Sequence, residues 1–338
     1  MDSLYLRNIT IAFCCCAALP LSYHFWLLPE ENERAEIETQ YEHKYVDGPI
    51  QPLPHLVSID HDWRLLGQAL FHSTLLSKDN TIACSSCHLV SAGGDDGFAL
   101  STGVDNKKGT RNSPTVLNSV FNFRQFWDGR EPNLELQVEN PIHNPVEMAT
   151  NWQEVIAKLK QDPYFSSAFN ELSNEGVTEA NITKAIVTFE KSLVTPDSPI
   201  DRYLLGDKQA LTSQQKRGLD KFINYGCATC HQGKNIGGNF YQKLGRIDNI
   251  PEKLTLDFGK YEFSKEEADK YVFKVPSLRN IADTGPYFHN GSVSSLAEAV
   301  KIMARTQLGM ELSEQDTQDI VALLHSFSAP VQEPPEND

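Results

Sequence analysis

Two Cys-x-x-Cys-His segments carry the clearest chemistry in this sequence, and between them they hold every cysteine beyond residue 16. In a c-type haem site, two thiols bond to the haem vinyl groups and the adjacent histidine binds one axial position of the iron. The pattern predicts two covalently bound haem c groups. The attachment and axial residues are Cys84, Cys87 and His88 in the first segment, and Cys227, Cys230 and His231 in the second.

Two other chemistries use paired cysteines. Four thiolates could hold a structural zinc ion, but that arrangement leaves the histidine after each pair unexplained. A thioredoxin-like redox pair needs a strand, a turn and a helix around the motif, and neither segment has this pattern. Haem attachment therefore remains the interpretation that uses all six side chains.

The second axial position of each iron decides what a haem can do. A histidine and a methionine close both sides and suit electron transfer, whereas an open side can bind a small oxidant. For the second haem the candidate methionines are Met303 and Met310. Met303 lies on the apolar face of a predicted helix, where core packing is an equal alternative, and Met310 lies in a predicted loop after Gly309.

The first half offers fewer ligands, since only His143 and Met148 follow the first motif there. It does contain Gln137 and, ten residues later, Glu147. A carboxylate above an open haem can move a proton from one peroxide oxygen to the other, and an amide can hold the peroxide. Taken alone, both side chains are ordinary surface residues.

Helices must position these side chains, because strand patterns are sparse. Capping signatures at Thr212, Ser295 and Ser313 predict three helices around the second motif. Apolar periodicity predicts helices at 63–70, 152–159 and 182–193 around the first. We therefore predict an all-α fold of two cytochrome c-like haem domains, at 51–198 and 199–330, with a duplicated architecture.

The N-terminus predicts export. Residues 1–28 are predicted to be a signal peptide or a membrane anchor. The apolar run from Ile9 to Leu28 follows Arg7 and is long enough for a retained anchor, and 29–50 form an acidic linker. Haem c is attached outside the cytoplasm, which agrees with export. The net charge of −15 argues against a nucleic-acid partner and favours a basic docking partner.

Beyond these arguments, the chain resembles the bacterial di-haem cytochrome c peroxidase family over nearly all of residues 60–328. Besides the two haem motifs, the matching stretches are Leu66–Phe71, Gly109–Thr115, Phe126–Arg130, Pro145–Met148, Pro276–Gly291, Met303 and Gln307–Gly309.

The resemblance implies a peroxidatic haem on the first motif and an electron-transfer haem on the second, with Met303 as its axial ligand. It also implies that Glu147 and Gln137 act on the distal side of the first haem, and that Trp127 bridges the haems. Without the resemblance, Trp127 would be interpreted as a core residue. The family's dimeric habit favours a homodimer, although no interface is visible in the residues.

The family also holds a calcium ion between its domains. The matching positions are Asn112 and the carbonyl groups of Thr284 and Pro286, with water completing the shell. His289 matches a family position nearby, for which we expect a structural role such as a hydrogen bond to a haem propionate.

Two positions depart from the family pattern. Val104 stands where many members have a histidine that caps the resting iron, so we expect the first haem to be open or water-bound even when fully oxidised. His72 replaces an aromatic residue, and we expect a buried or surface histidine there rather than a ligand.

The predicted function is reduction of hydrogen peroxide to water in the periplasm, with electrons from a small cytochrome c or cupredoxin. One alternative is a non-enzymatic di-haem electron carrier or redox sensor. Another is a di-haem maturation enzyme, whose relatives use a tyrosine where this chain has Met303.

Overall fold

The computed structural model describes residues 40–335. Residues 1–28 and the first half of the predicted linker lie outside the described residues. Within them, none of the helices combines the length and apolar character needed to cross a membrane.

The described part of the chain is mostly helical, as predicted, and has only two short antiparallel strand pairs. The helices are α1 His61–Phe71, α2 Leu134–His143, α3 Trp152–Gln161, α4 Pro163–Leu172, α5 Glu179–Lys191, α6 Pro199–Leu204, α7 Ser213–Asn224, α8 Tyr261–Ser264, α9 Leu296–Leu308 and α10 Glu314–His325. The strands are β1 Tyr41–Glu42 paired with β2 His55–Leu56, and β3 Tyr241–Lys243 paired with β4 Val272–Lys274.

The predicted caps start their helices. The Thr212 hydroxyl accepts a hydrogen bond from the Gln215 amide, and the Gln215 side chain accepts one from the Thr212 amide. Ser295 and Ser313 cap α9 and α10 by accepting from the amides three residues on. Each cap satisfies amide groups that the first helical turn leaves without partners.

A close helix crossing precedes each haem motif. In the first half, α1 packs on α5 at Gly67, where an added Cβ would lie 1.8 Å from the Ala185 carbonyl oxygen. In the second half, α7 packs on α10 at Gly218, where an added Cβ would lie 2.1 Å from the Asp319 carbonyl oxygen. Each half therefore has a glycine at a close helix crossing, which agrees with a duplicated architecture.

Separate apolar clusters stabilise the two halves. The largest cluster is drawn from residues 41–194 and includes Leu70, Phe169 and Ile182, which are all fully buried. A second cluster combines Ile50 with residues 200–327. Since burial of apolar area is the main stabilising force, each half has a core on which to hold its motif.

Candidate haem sites

The first motif forms a tight turn, and hydrogen bonds fix the position of its histidine. Cys84–Ser86 form one turn of 3₁₀-helix, and the backbone amide of His88 donates to the Cys84 carbonyl at 3.0 Å. The His88 Nδ1 lies 3.2 Å from the Gly94 carbonyl oxygen. A histidine bonded in this way through Nδ1 keeps Nε2 for a metal. Burial lowers the pKa of His88, which keeps the ring in the neutral, ligating form.

Burial disfavours the thiolate form of Cys84 in the first pair and of Cys227 in the second. Burial raises the pKa of Cys84 to about 12 and that of Cys227 to about 11. Within residues 40–335, no group of three or more His, Cys, Asp or Glu side chains is arranged to hold a metal ion. The two pairs therefore do not form a common four-thiolate site. Redox chemistry needs the thiolate form, so cysteines with a raised pKa are better suited to thioether bonds with haem.

Glu147 lies within electrostatic range of the first motif. Burial raises the pKa of Cys87 to about 11, and the negative charges of Asp96 and Glu147 add to that rise. Burial also raises the pKa of Glu147 above its usual range, while Asn144 and Arg130 oppose the rise. The Asn144 Nδ2 donates to the Glu147 Oε1 at 2.6 Å. The carboxyl group is thus oriented by Asn144 and binds a proton more readily than an exposed glutamate does, which suits a role in acid–base chemistry.

Gln137 and Glu147 are positioned by the same element. Gln137 lies on α2, and Asn144 is the residue that ends this helix. The residue that donates to Glu147 therefore follows directly on the helix that carries Gln137.

Position 104 lies against Glu147. Val104 is buried, and its backbone amide donates to the Glu147 carbonyl at 2.9 Å. The preceding Gly103 is also close, since an added Cβ would lie 2.2 Å from the Val146 carbonyl oxygen. The loop that carries a histidine in many family members is therefore packed beside the predicted catalytic carboxyl, and it presents a side chain that cannot bind iron.

The second motif opens into an apolar cavity. Its wall includes Cys227, Cys230, His231, Met303, Trp127, Phe273, Lys274 and His289. Burial lowers the pKa of His231 to about 4, so its imidazole is neutral and able to bind iron. A cavity with this donor set and apolar lining fits a covalently attached haem.

The structure distinguishes the two methionines. Met303 lies on α9 and lines the cavity. Met310 follows the helix, where its amide donates to the Ala304 carbonyl at 3.1 Å, and it is not part of the cavity wall. Met303 also packs against the neighbouring apolar cluster, so the core and ligand interpretations of this residue are compatible.

Trp127 belongs to the first half of the chain but lines the cavity of the second motif. Its indole Nε1 donates to the Asn112 carbonyl at 2.9 Å, and its ring packs edge-on to His289 at 6.4 Å. His289 is buried and stacks on Phe273, with ring centres 4.5 Å apart. The His289 Nε2 has no hydrogen-bond partner among the described residues, which fits the expected bond to a haem propionate.

The predicted calcium ligands also fit a cation. The Asn112 Nδ2 donates to the Phe98 carbonyl at 2.9 Å, which leaves the side-chain oxygen as an acceptor. Within residues 40–335, no hydrogen-bond donor is directed at the carbonyl oxygens of Thr284 or Pro286. Oxygen atoms of this kind are the ligands that calcium prefers.

The remaining sequence candidates lie elsewhere. His72 and His143 are exposed, and Met148 is buried in the first apolar cluster. The exposed position of His72 agrees with the expected surface role.

Lys274 was missed by the sequence analysis. It is buried in the cavity wall beside the second motif, and burial lowers its pKa to about 8. Among the described residues no carboxylate forms an ion pair with it. A buried ammonium group needs a counter-charge, and a haem propionate would provide one. In the sequence, the only sign of this burial is that Lys274 directly follows the apolar residues Val272 and Phe273, with which it forms β4.

Fold and motifs together define a class: a mostly helical protein with two c-type haem attachment motifs. Comparisons with known proteins agree. The family described as di-haem cytochrome c peroxidase matches residues 62–209. The chain is 42% identical over 298 residues to cytochrome c551 peroxidase of Pseudomonas aeruginosa, covering 85% of this chain and 86% of that protein. This chain belongs to the di-haem cytochrome c peroxidase family.

Two further comparisons describe its extent. The chain is 47% identical over 307 residues to cytochrome c peroxidase Ccp of Escherichia coli, covering 90% of this chain but 66% of that protein. It thus spans about two thirds of that relative's length. A solved structure of a MauG-like protein associated with microbial copper homeostasis superposes with a TM-score of 0.73 at 28% identity, covering 85% of this chain and 95% of the other.

Proposed function

We propose that this chain reduces hydrogen peroxide to two water molecules at the first haem site, with two electrons that enter one at a time at the second. The observation that carries the proposal is the placement of Glu147. Its carboxyl group lies near Cys87, with a raised pKa and an orienting bond from Asn144. When bound, the first haem supplies an iron that accepts peroxide and delivers electrons to it.

Glu147 moves the protons of this reaction. Its carboxylate takes a proton from the peroxide oxygen nearer the haem and returns it to the far oxygen, so that the far oxygen leaves as water. Two protons from solvent and two electrons complete the balance to two waters. The Gln137 amide group, on α2, is proposed to hold the peroxide by hydrogen bonding.

Trp127 is the proposed route between the two haem sites. Trp127 belongs to the first half of the chain, where its indole donates to the Asn112 carbonyl, and it also lines the cavity of the second motif. Met303 and His231 hold the second haem as an electron carrier. The proposed donor is a small periplasmic cytochrome c or cupredoxin. The proposed location is the periplasm, with the N-terminal segment acting as a signal peptide or as an inner-membrane anchor.

The proposed organisation completes this picture. A peroxidatic domain covers 51–198 and an electron-transfer domain covers 199–330, which agrees with the separate apolar clusters. A calcium ion bound by Asn112 and the carbonyl groups of Thr284 and Pro286 joins them. A homodimer is the proposed assembly.

Replacing Glu147 by Gln tests the proposal. Because general acid–base catalysis contributes a factor of about 10² to 10⁴, we expect kcat to fall by at least about 100-fold. Haem content, measured by the pyridine haemochrome spectrum, should remain at two per chain. Glu139→Gln on the same helix is the matched control. A Glu147→Gln enzyme with two haems and an unchanged turnover rate would remove the proposed role.

The valine at position 104 leads to a second prediction. Valine has no ligand atom, and its backbone is tied to Glu147 beside the first site, so the oxidised first haem should be open or water-bound. The electronic spectrum of the fully oxidised enzyme should therefore contain a high-spin component. A spectrum with only six-coordinate low-spin haem would contradict this expectation.

A further inference from the structure

Asp95 is a buried carboxyl group without a partner. Its side chain is 1% exposed, and among the described residues neither carboxyl oxygen accepts a hydrogen bond. The amides of Asp95 and Gly97 are near enough to favour the charged form, but neither has the geometry of a hydrogen bond to it. Burial raises the pKa of Asp95 to about 7, and a bound cation would stabilise the charged form in place of a proton.

The surroundings of Asp95 are negative. Asp283 lies on the segment that packs against the backbone of Gly93, two residues before Asp95. Asp283 is exposed, so this side of the site is open to solvent. No ion pair compensates either carboxylate among the described residues.

Asp95 also lies beside the proposed calcium ligands. Two residues before it, the backbone of Gly93 contacts the ligand segment, since an added Cβ would lie 2.6 Å from the Asp283 carbonyl oxygen and 3.3 Å from the Thr284 Cγ2. Three residues after it, the Phe98 carbonyl accepts the bond from Asn112. The Asn112 amide in turn donates to the His289 carbonyl at 2.8 Å.

Three chain segments therefore pack against one another: 93–98, the stretch beginning at Asn112, and 283–289. Between them they carry two carbonyl oxygens without donors, one amide oxygen and one unpartnered carboxylate. We propose that Asp95 is a direct carboxylate ligand of the calcium ion at this junction, and that Asp283 adds a second negative charge at its solvent-facing side. This inference rests on the proposed calcium site and adds to it the residue that provides most of its charge.

A carboxylate changes the strength of the site. Amide and carbonyl oxygens carry only partial charge, whereas calcium affinity rises with the number of charged ligands. Asp95 therefore makes the ion an integral part of the junction between the two halves.

Calcium titration of the holoenzyme tests the inference. The purified enzyme, with both haems, is stripped with a chelator and titrated with calcium chloride by calorimetry. We expect Asp95→Asn to bind calcium at least about tenfold more weakly than the wild type. Asp79→Asn is the control, since Asp79 is exposed and bonds to Thr81. Equal affinity in the wild type and Asp95→Asn would overturn the assignment of Asp95 and leave the calcium site in place.

A second variant covers a failure of Asp95→Asn to fold. Asp283→Asn changes an exposed side chain and should weaken calcium binding by about threefold through the lost charge. An unchanged affinity in this variant would also count against the shared site. If the stripped wild-type enzyme takes up no calcium, the calcium part of the proposed function fails together with this inference, while peroxide reduction stays testable by the Glu147 variant.

Discussion

At the residue scale, burial is what turns ordinary side chains into reactive ones. Glu147 is only partly exposed, and the loss of water raises the pKa of its carboxyl group. The hydrogen bond from Asn144 acts in the opposite direction because it stabilises the charged form. The balance of these two effects sets the pH at which Glu147 can accept a proton.

The acid limb of the activity profile should therefore depend on Asn144. Below the pKa of Glu147 the carboxyl is protonated and cannot act as a base, so kcat/KM should fall as the pH is lowered through this value. Asn144→Ala removes a bond to the charged form, and we expect the acid limb to move up by about one pH unit. The measurement is kcat/KM against pH, with the exposed Asn174→Ala as control. A limb that stays in place would show that Asn144 does not hold the carboxyl.

At the element scale, each haem motif depends on one helix crossing. The chain brings α1 against α5 and α7 against α10, and at each crossing a glycine allows backbone contact. A larger residue at either position would push the helices apart and shift the motif that follows. A change in packing at either crossing should therefore change the position of the haem motif that follows α1 or α7.

Gly218→Ala tests the second crossing. Alanine favours a helix by about 1 kcal/mol over glycine, but overpacking costs about 1–3 kcal/mol, and a Cβ 2.1 Å from the Asp319 carbonyl oxygen makes the second effect dominant. We expect the variant to have a lower midpoint of thermal unfolding than the wild type. The measurement is thermal unfolding of the holoenzyme, monitored by absorbance in the Soret band. Gly109→Ala is the matched control, since its nearest heavy atom would be 3.8 Å away. Equal midpoints for the wild type and Gly218→Ala would contradict this expectation, because they would show that α7 and α10 can move apart at no cost in stability.

At the scale of the whole molecule, charge governs encounters. A net charge of −15 creates a negative field that attracts basic proteins and repels acidic ones. Hydrogen peroxide is neutral and does not respond to this field. The electron donor and the oxidant should therefore differ in their sensitivity to salt.

Raising the ionic strength should slow the reaction with a basic donor cytochrome. Between ~0.01 M and ~0.3 M salt the Debye length falls from about 30 Å to about 6 Å, so we expect kcat/KM for the donor to fall by about tenfold. The KM for peroxide should not change. A neutral small-molecule reductant serves as the control. A salt-independent rate with the basic donor would exclude electrostatic steering by this surface.

Local chemistry explains what could be predicted without coordinates. Two thiols and a histidine within five residues define a haem c site wherever the chain places them, and caps such as Thr212 act within one helical turn. The mostly helical fold, the peroxidase family and the two haem motifs were therefore accessible from the sequence. The candidate pair of Gln137 and Glu147 was visible too, but only as a hypothesis.

Long-range convergence explains the rest. Which methionine lines the second cavity, why Lys274 is buried there and why Asp95 has no partner all depend on segments that are far apart in the chain. Burial and electrostatic environment are properties of the packed molecule, because water is removed only when distant elements meet. The sequence alone determined the cofactor chemistry of this protein, whereas the tertiary structure decided which side chains surround it and carry the compensating charge.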